Sequence, residues 1–242
     1  VRQFLALARK DARVVARDSF LLAILLYTLV LALVARVTVP RVPVAGLPLY
    51  LAPAVVLFGT LLLGTVLGFA LIEESEQGTW QLLRVLPLAS RTLFLYLGAG
   101  SGLASVVVSL LAAFIYGQPV ADLPAFLLMI GVSSLAAPLV MLLLGALASN
   151  KIEGLAVSKV LSLVLLSPAA VFMPPMPWQL LVAWSPFYWL YLGLLRAFAA
   201  DTALLPMVHW PGYPPWLLIV APLALLCAGN ALLVQRHRRR VH

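Results

Sequence analysis

VPVAGLPLYLAPAVVLFGTLLLGTVLGFALI, residues 42–72, runs without a single charge and stops against Glu73-Glu74-Ser75-Glu76. The hydrocarbon core of a bilayer is about 30 Å thick, so a helix needs roughly 20 apolar residues to cross it. An Arg, Lys or Asp at the centre of such a helix costs about 2.5–3.5 kcal/mol on insertion scales. Five more uncharged windows accompany this one, at 19–35, 92–121, 123–150, 160–195 and 202–235. Chains that fold in water do not avoid charge six times over such lengths. The expected fold is an all-α membrane protein with six transmembrane helices, at about 19–36, 49–72, 93–116, 125–148, 155–173 and 216–235.

Composition supports the same class. The 242 residues are 64% hydrophobic and 10% charged, with a mean hydropathy of +1.08. Spans and short connections use up nearly the whole length, which leaves no segment of ordinary soluble-domain size for a catalytic core. The net charge of +8 does not read as nucleic-acid binding. The arginines stand at the ends of apolar runs, where lipid headgroups and topology place them. Cys227 has no intrachain disulfide partner and reads as a small buried hydrophobe. The first apolar run is too long for a signal-peptide core, and no small-residue cleavage site follows it.

Residues 1–18 form one domain of the reading, a cytoplasmic interfacial helix. At 100° per residue, Arg2, Arg9, Lys10, Arg13 and Arg17 share one arc, and Phe4, Leu5, Leu7, Val14 and Val15 share the other. Such a helix lies flat on a membrane with its basic face toward anionic lipid. Residues 19–235 form the six-span domain, and 236–242 a basic cytoplasmic tail. With both termini inside, thirteen basic residues are cytoplasmic, namely the five above, Arg84, Arg91, Lys151, Lys159 and four arginines from Arg236 onward. Only Arg36, Arg41 and Arg196 lie outside, the bias that the positive-inside rule expects.

The stretch 178–199 is apolar enough to cross as a seventh span. That would move the terminal arginines outside, so charge favours an extracytoplasmic connection, 174–215, carrying short re-entrant or interfacial helices. Eight prolines break this connection, and Trp178, Trp184, Trp189, Trp210 and Trp216 lie within or just past it. Their rings suit the headgroup level; packing inside the bundle is the alternative. Gly64 with Gly68, and Gly98 with Gly102, have the four-residue spacing that lets helices approach closely.

Two charged connections remain. The first begins with Glu73, Glu74 and Glu76 at a span end, where burial in lipid would be costly. Gly78 permits a turn, Thr79 can cap a short helix, and Pro87 ends it. The product is an amphipathic element, apolar through Leu82 and Leu83, lying crosswise under the membrane; a solvated acidic loop reads the same residues. This stretch resembles the permeases of type-two ABC exporters, whose second and third spans are joined by a segment like E-x-E-x-G-T-L-E-x-L-x-x-x-P. Glu74, Glu76, Gly78, Thr79, Leu83 and Pro87 match in order, while Trp80 and Gln81 replace the usual Leu-Glu. The resemblance implies that 73–90, including Arg84, is a coupling segment seated in an ATP-binding partner. The second connection, Asn150-Lys151-Ile152-Glu153-Gly154, looks like the N-K-x-E-G stretch of a fluoroquinolone-export branch of these permeases.

The sequence has no phosphate-loop pattern, no acidic relay inside a span, and no clustered metal or catalytic set. What the resemblance implies is a permease subunit without enzymatic activity or cofactor of its own. ATP and Mg would be held by separate ABC ATPase subunits, and a second six-span permease, identical or paralogous, would complete the pathway in the cell membrane. Cargo would be a hydrophobic or amphipathic compound, a drug or lipid. A haem-export permease of cytochrome c maturation is the alternative within transport; a non-transporting membrane scaffold or immunity protein is the alternative outside it.

Overall fold

The structure is a computed structural model that describes residues 19–77, 90–164, 166–173, 179–199, 208 and 213–241. The expected surface helix 1–18 and the element 78–89 lie outside the described residues. Eight helices carry the fold: α1 (Ser19–Thr38), α2 (Leu47–Glu76), α3 (Ser90–Tyr116), α4 (Leu123–Ser133), α5 (Ala136–Leu147), α6 (Lys151–Val164), α7 (Pro186–Phe198) and α8 (Leu217–Val241). Short 3-10 turns at Val39–Arg41 and Ser167–Phe172 extend α1 and α6, and a helical turn at Leu180–Val182 precedes α7. No strand occurs among the described residues.

Among the described residues, five stretches are long and apolar enough to cross a bilayer: Leu47–Glu76, Leu97–Tyr116, Leu123–Leu147, Lys151–Phe172 and Leu217–Arg236. They coincide with the second to sixth expected spans. α1 covers the first with 20 helical residues, about 30 Å of rise. α2 sits at the centre and touches α1, α3, α5, α6 and α7.

α4 and α5 form one crossing interrupted at Ser134–Leu135. The cause is Pro138, which has no N–H for the Ser134 carbonyl and whose ring crowds it. Ser134 O accepts instead from the Ala137 N–H at 3.3 Å. Asn230 of α8 donates from Nδ2 to Leu135 O at 3.0 Å, so the last helix is bonded to the break. At the other end of this crossing, Asp122 caps α4 by accepting from the Ala125 N–H at 3.0 Å.

α2 meets α5 through Gly64 and Gly68. A Cβ on Gly64 would stand 2.7 Å from Ala137 O, and one on Gly68 would stand 2.6 Å from Leu144 Cδ1. Only hydrogen fits at both places. The second expected pair behaves differently: nothing lies within 4 Å of a Cβ on Gly98, and Gly102 leaves room for one beside Ser134. α2 meets α3 through hydroxyls. Ser105 Oγ donates to Thr60 Oγ1 (3.1 Å), Thr60 and Ser109 share a bond (2.9 Å), and Ser109 donates to Val56 O (3.3 Å). Ser101, Ser105 and Ser109 are all buried, one turn apart on one face of α3.

The region between the fifth and sixth expected spans holds α7, whose 13 residues rise about 20 Å. That is short of the hydrocarbon thickness. Yet α7 is almost wholly buried: Tyr188, Leu190, Leu192, Leu194 and Leu195 have no exposure. Tyr191 Oη donates to Tyr50 O (2.6 Å), and Ala197 O accepts from the Ala121 and Asp122 N–H groups. Ala121 and Asp122 lie in the α3–α4 connection, so the C-terminal end of α7 sits at the level of that connection. Phe187, at its other end, lies beside Leu61 near the middle of α2. Trp189 packs inside the bundle, with Nε1 donating to Ala183 O at 2.7 Å, and so departs from the expected interfacial role. Trp184 and Trp216 are exposed. Cys227, expected to be buried, is exposed on α8.

Steric exclusion at the α2–α5 contact predicts contrasting outcomes for two glycines. Gly64→Val should destabilise the folded protein by about 1–3 kcal/mol, as overpacking does. Gly131→Ala, with nothing within 4 Å, should be neutral or gain roughly 0.5–1 kcal/mol from helix propensity. Melting in detergent measures both; equal shifts would remove the steric account.

Candidate functional site

The charged connections sort to the two ends of the bundle. One end gathers Arg36, whose Nη1 donates to Ile115 O (3.1 Å), with Tyr116, whose Oη donates to Pro48 O (2.7 Å). The opposite end gathers the acidic terminus of α2 and the turn between α5 and α6. Near this end, Leu233 and Val234 of α8 also pack on the Leu71, Met141 and Leu142 cluster.

At that second end, α2 runs on past its last buried residues, Leu71 and Ile72, into Glu73, Glu74, Ser75 and Glu76. Glu73 is tied to its own helix end: Gln77 donates from its backbone N–H to Glu73 O (3.0 Å) and from Nε2 to Glu73 Oε1 (3.4 Å). The turn after α5 begins at Ala148, whose extended backbone (φ −113°, ψ 136°) leaves the helix. α6 then starts with a reciprocal cap. Asn150 Oδ1 accepts from the Glu153 N–H (2.9 Å), and Glu153 Oε2 reaches back to accept from the Ser149 N–H (2.7 Å). The Glu153 N–H is one of the helix's otherwise unpaired end groups and the Ser149 N–H is the donor just before the cap; two side chains three residues apart satisfy both.

The two connections touch through Lys151. Its backbone N–H donates to Glu76 Oε1 at 3.2 Å, and its Nζ pairs with Glu73 Oε2 at 3.1 Å. One turn further in, Gly154 seats on α2. A Cβ there would lie 2.9 Å from both Ile72 Cδ1 and Phe69 Cε1. Each lettered position of the N-K-x-E-G stretch therefore has a local physical role. Asn150 caps, Lys151 bridges, Glu153 completes the cap, and Gly154 permits close approach. Ile152, the variable position, is exposed. Of the expected coupling residues, Glu73, Glu74 and Glu76 lie at this end, with Glu73 and Glu76 meeting Lys151. Gly78, Thr79, Leu82, Leu83, Arg84 and Pro87 lie outside the described residues.

Farther along the same two helices, α2 and α6 separate around a cavity of about 200 Å³. Leu61 and Thr65 of α2, Leu139 and Leu143 of α5, Ser158 and Ser162 of α6, and Trp184 and Phe187 before and within α7 line it. A smaller space of about 130 Å³ lies on the other side of Leu61 and Phe187, against Phe58 and Tyr191. The hydroxyls of Thr65, Ser158 and Ser162 donate to carbonyls of their own helices, at Leu61, Leu155 and Ser158. Their donor capacity is spent, and each oxygen keeps acceptor capacity. The wall is thus apolar and aromatic with a few hydrogen-bond acceptors, a lining suited to an apolar or amphipathic molecule. Sequence reasoning did not single out this cavity. Ser158 and Ser162, one turn apart on an apolar helix, were its only visible trace, and serine is common in spans.

Comparison with known proteins bears on both features. No curated protein matches this chain. The family model described as "Fluoroquinolones export permease protein Rv2686c-like" matches residues 11–228. That range includes both connections, the cavity and the first half of α8, and the chain belongs to this family of membrane export permeases.

Proposed function

We propose that the chain is the membrane-spanning subunit of an ATP-driven ABC exporter, energised by separate ATPase subunits that hold ATP and Mg. The observation that carries the reading is the meeting of the two connections at one end of the bundle, Glu73 and Glu76 against Lys151. An ATPase bound there reaches α2 and α6 together. In this reading six helices cross the cell membrane, α1 first, with 1–18 on the cytoplasmic surface and both termini cytoplasmic. α7 is re-entrant: it starts near mid-membrane and rises to the outer face. A second six-span permease, identical or paralogous, supplies the other half of the pathway.

Cargo is a hydrophobic or amphipathic compound, and the cavity between α2 and α6 is where it is held. Trp184 and Phe187 offer flat apolar faces, and the hydroxyl oxygens of Ser158 and Ser162 offer acceptors. The family's description names fluoroquinolones, planar compounds of this character. It favours this branch over haem export.

Two experiments test the reading. In a Cys227→Ala background, cysteines placed at Ser75 and Ser149 should react only with reagent admitted to the cytoplasm. A cysteine at Val44 should react from outside. Outward labelling of Ser75 would sink the topology and the ATPase contact with it. Filling the cavity by Ser162→Phe should lower export of a fluoroquinolone by roughly tenfold, the scale on which a pocket rejects a misfit, with membrane insertion unchanged. Undiminished export would move the cargo site elsewhere.

A further inference from the structure

Lys151 and Glu73 oppose the helices that bear them. The N-terminus of a helix carries partial positive charge and the C-terminus partial negative. Lys151 is the first residue of α6, and Glu73 and Glu76 lie in the last turn of α2, which carries no basic residue. Each charge is therefore unfavourable for its own helix and is offset by the other. The pair is also half-exposed, 53% for Lys151 and 37% for Glu73, where an ion pair contributes little to stability. Neither local helix stability nor burial accounts for the arrangement. What it does is fix position: Lys151 is held at two points, backbone and side chain, by two carboxylates one turn apart, and Gly154 adds a steric seat on Phe69 and Ile72.

α6 packs on the core only partly, through Val157, Leu161 and Val164. Only 18% of its best spanning window is buried. Ile152, Val160 and Leu163 face outward. We propose that Lys151 is a positioning residue that makes α6 follow the acidic end of α2, so that force delivered to the first connection also moves the cavity wall bearing Ser158 and Ser162. This rests on the reading that an ATPase acts at 73–90, and it names the residue through which that action reaches the fifth crossing.

Charge reversal and exchange test it. Lys151→Glu places an acid at a helix N-terminus, which favours α6 itself, while repelling Glu73 and Glu76. Any defect is then one of the joint. Purified with its ATPase in lipid nanodiscs, this variant should lose roughly fivefold in cargo-stimulated hydrolysis, the upper range for an exposed pair. The exchange Glu73→Lys with Lys151→Glu should recover most of it. Independently of any ATPase, spin labels at Ser75 and Ile152 should give a narrow distance distribution in the wild type. It should broaden with Lys151→Glu and narrow again in the exchange. Crosslinked cysteines at 73 and 151 should leave stimulated hydrolysis intact. A crosslink that abolishes it would show that the two helices must part, which overturns the proposal, as would an unaltered label distance in Lys151→Glu. Narrow distances that respond as expected, in a chain that no ATPase stimulates, would sink the exporter reading and leave the joint standing.

Discussion

Hydrocarbon accepts no unpaired backbone dipole and almost no charge, and that constraint shapes every part of this chain. It forces the polypeptide into helices whose hydrogen bonds are internal. It pushes ionisable groups to helix ends and makes each irregular stretch answer for its own carbonyls. The break at Ser134–Leu135 shows the last requirement. Pro138 disrupts the ladder between α4 and α5, and the side chain of Asn230, one helix away in space and 95 residues on in sequence, donates to the carbonyl beside the break. The short helix Pro186–Phe198 shows it again. A 13-residue helix does not span a bilayer, so its ends must be covered by protein. Tyr191 is bonded to the start of α2, and Ala197 O takes two N–H groups from the α3–α4 connection.

With the hydrophobic drive between helices absent in lipid, close packing and hydroxyl bonds decide which helices adhere. α2 uses both. Its Gly64–Gly68 edge lies against α5, and Thr60 meets the Ser105–Ser109 face of α3. The interhelical bonds are individually small, about 0.6 kcal/mol each on average. Their contribution is register, because a hydroxyl bond is lost when a helix slides by a residue, whereas an alkyl contact is only exchanged.

The span pattern was legible because charge exclusion is a long-range, additive signal: six uncharged windows predicted the positions where α1 to α6 and α8 now lie. The glycine pairs were legible only as a spacing. Gly64 and Gly68 are close-approach sites because Ala137 and Leu144 oppose them, whereas Gly98 has no neighbour. Nothing within α3 itself distinguishes the two outcomes. Tryptophan gave the same ambiguity. Trp184 and Trp216 are exposed, while Trp189 is buried with its N–H bonded to Ala183 O. Aromatic rings suit an interface and a core equally, and tertiary contact decides. The charged turn at Asn150–Gly154 was visible as a motif, but its partner was not. That Lys151 faces Glu73, 78 positions earlier, follows from how α2 and α6 cross at Gly154, which one sequence does not state.

These contacts divide the membrane portion into parts held with unequal strength. α2, α3 and α5 share glycine seats and hydroxyl bonds deep in the bundle, and α7 is packed among α2, α4 and α8. α6 joins the same core through Gly154 and a pair of exposed charges at one end, packs partly through Val157, Leu161 and Val164 beside the cavity, and continues into the turn Ser167–Phe172, where Ser167 bonds Ser185 and Val171 is buried. In the exporter reading proposed above, a wall that shifts to admit and release cargo is not locked into the core along its whole length, since packed cores switch between discrete arrangements rather than deform continuously. Attachment at its two ends and open space along the middle is the geometry that leaves this wall more freedom than its neighbours. It is also why the charges that tie α6 to α2 stand where water can reach them: solvated, they hold a direction without freezing the helix in place.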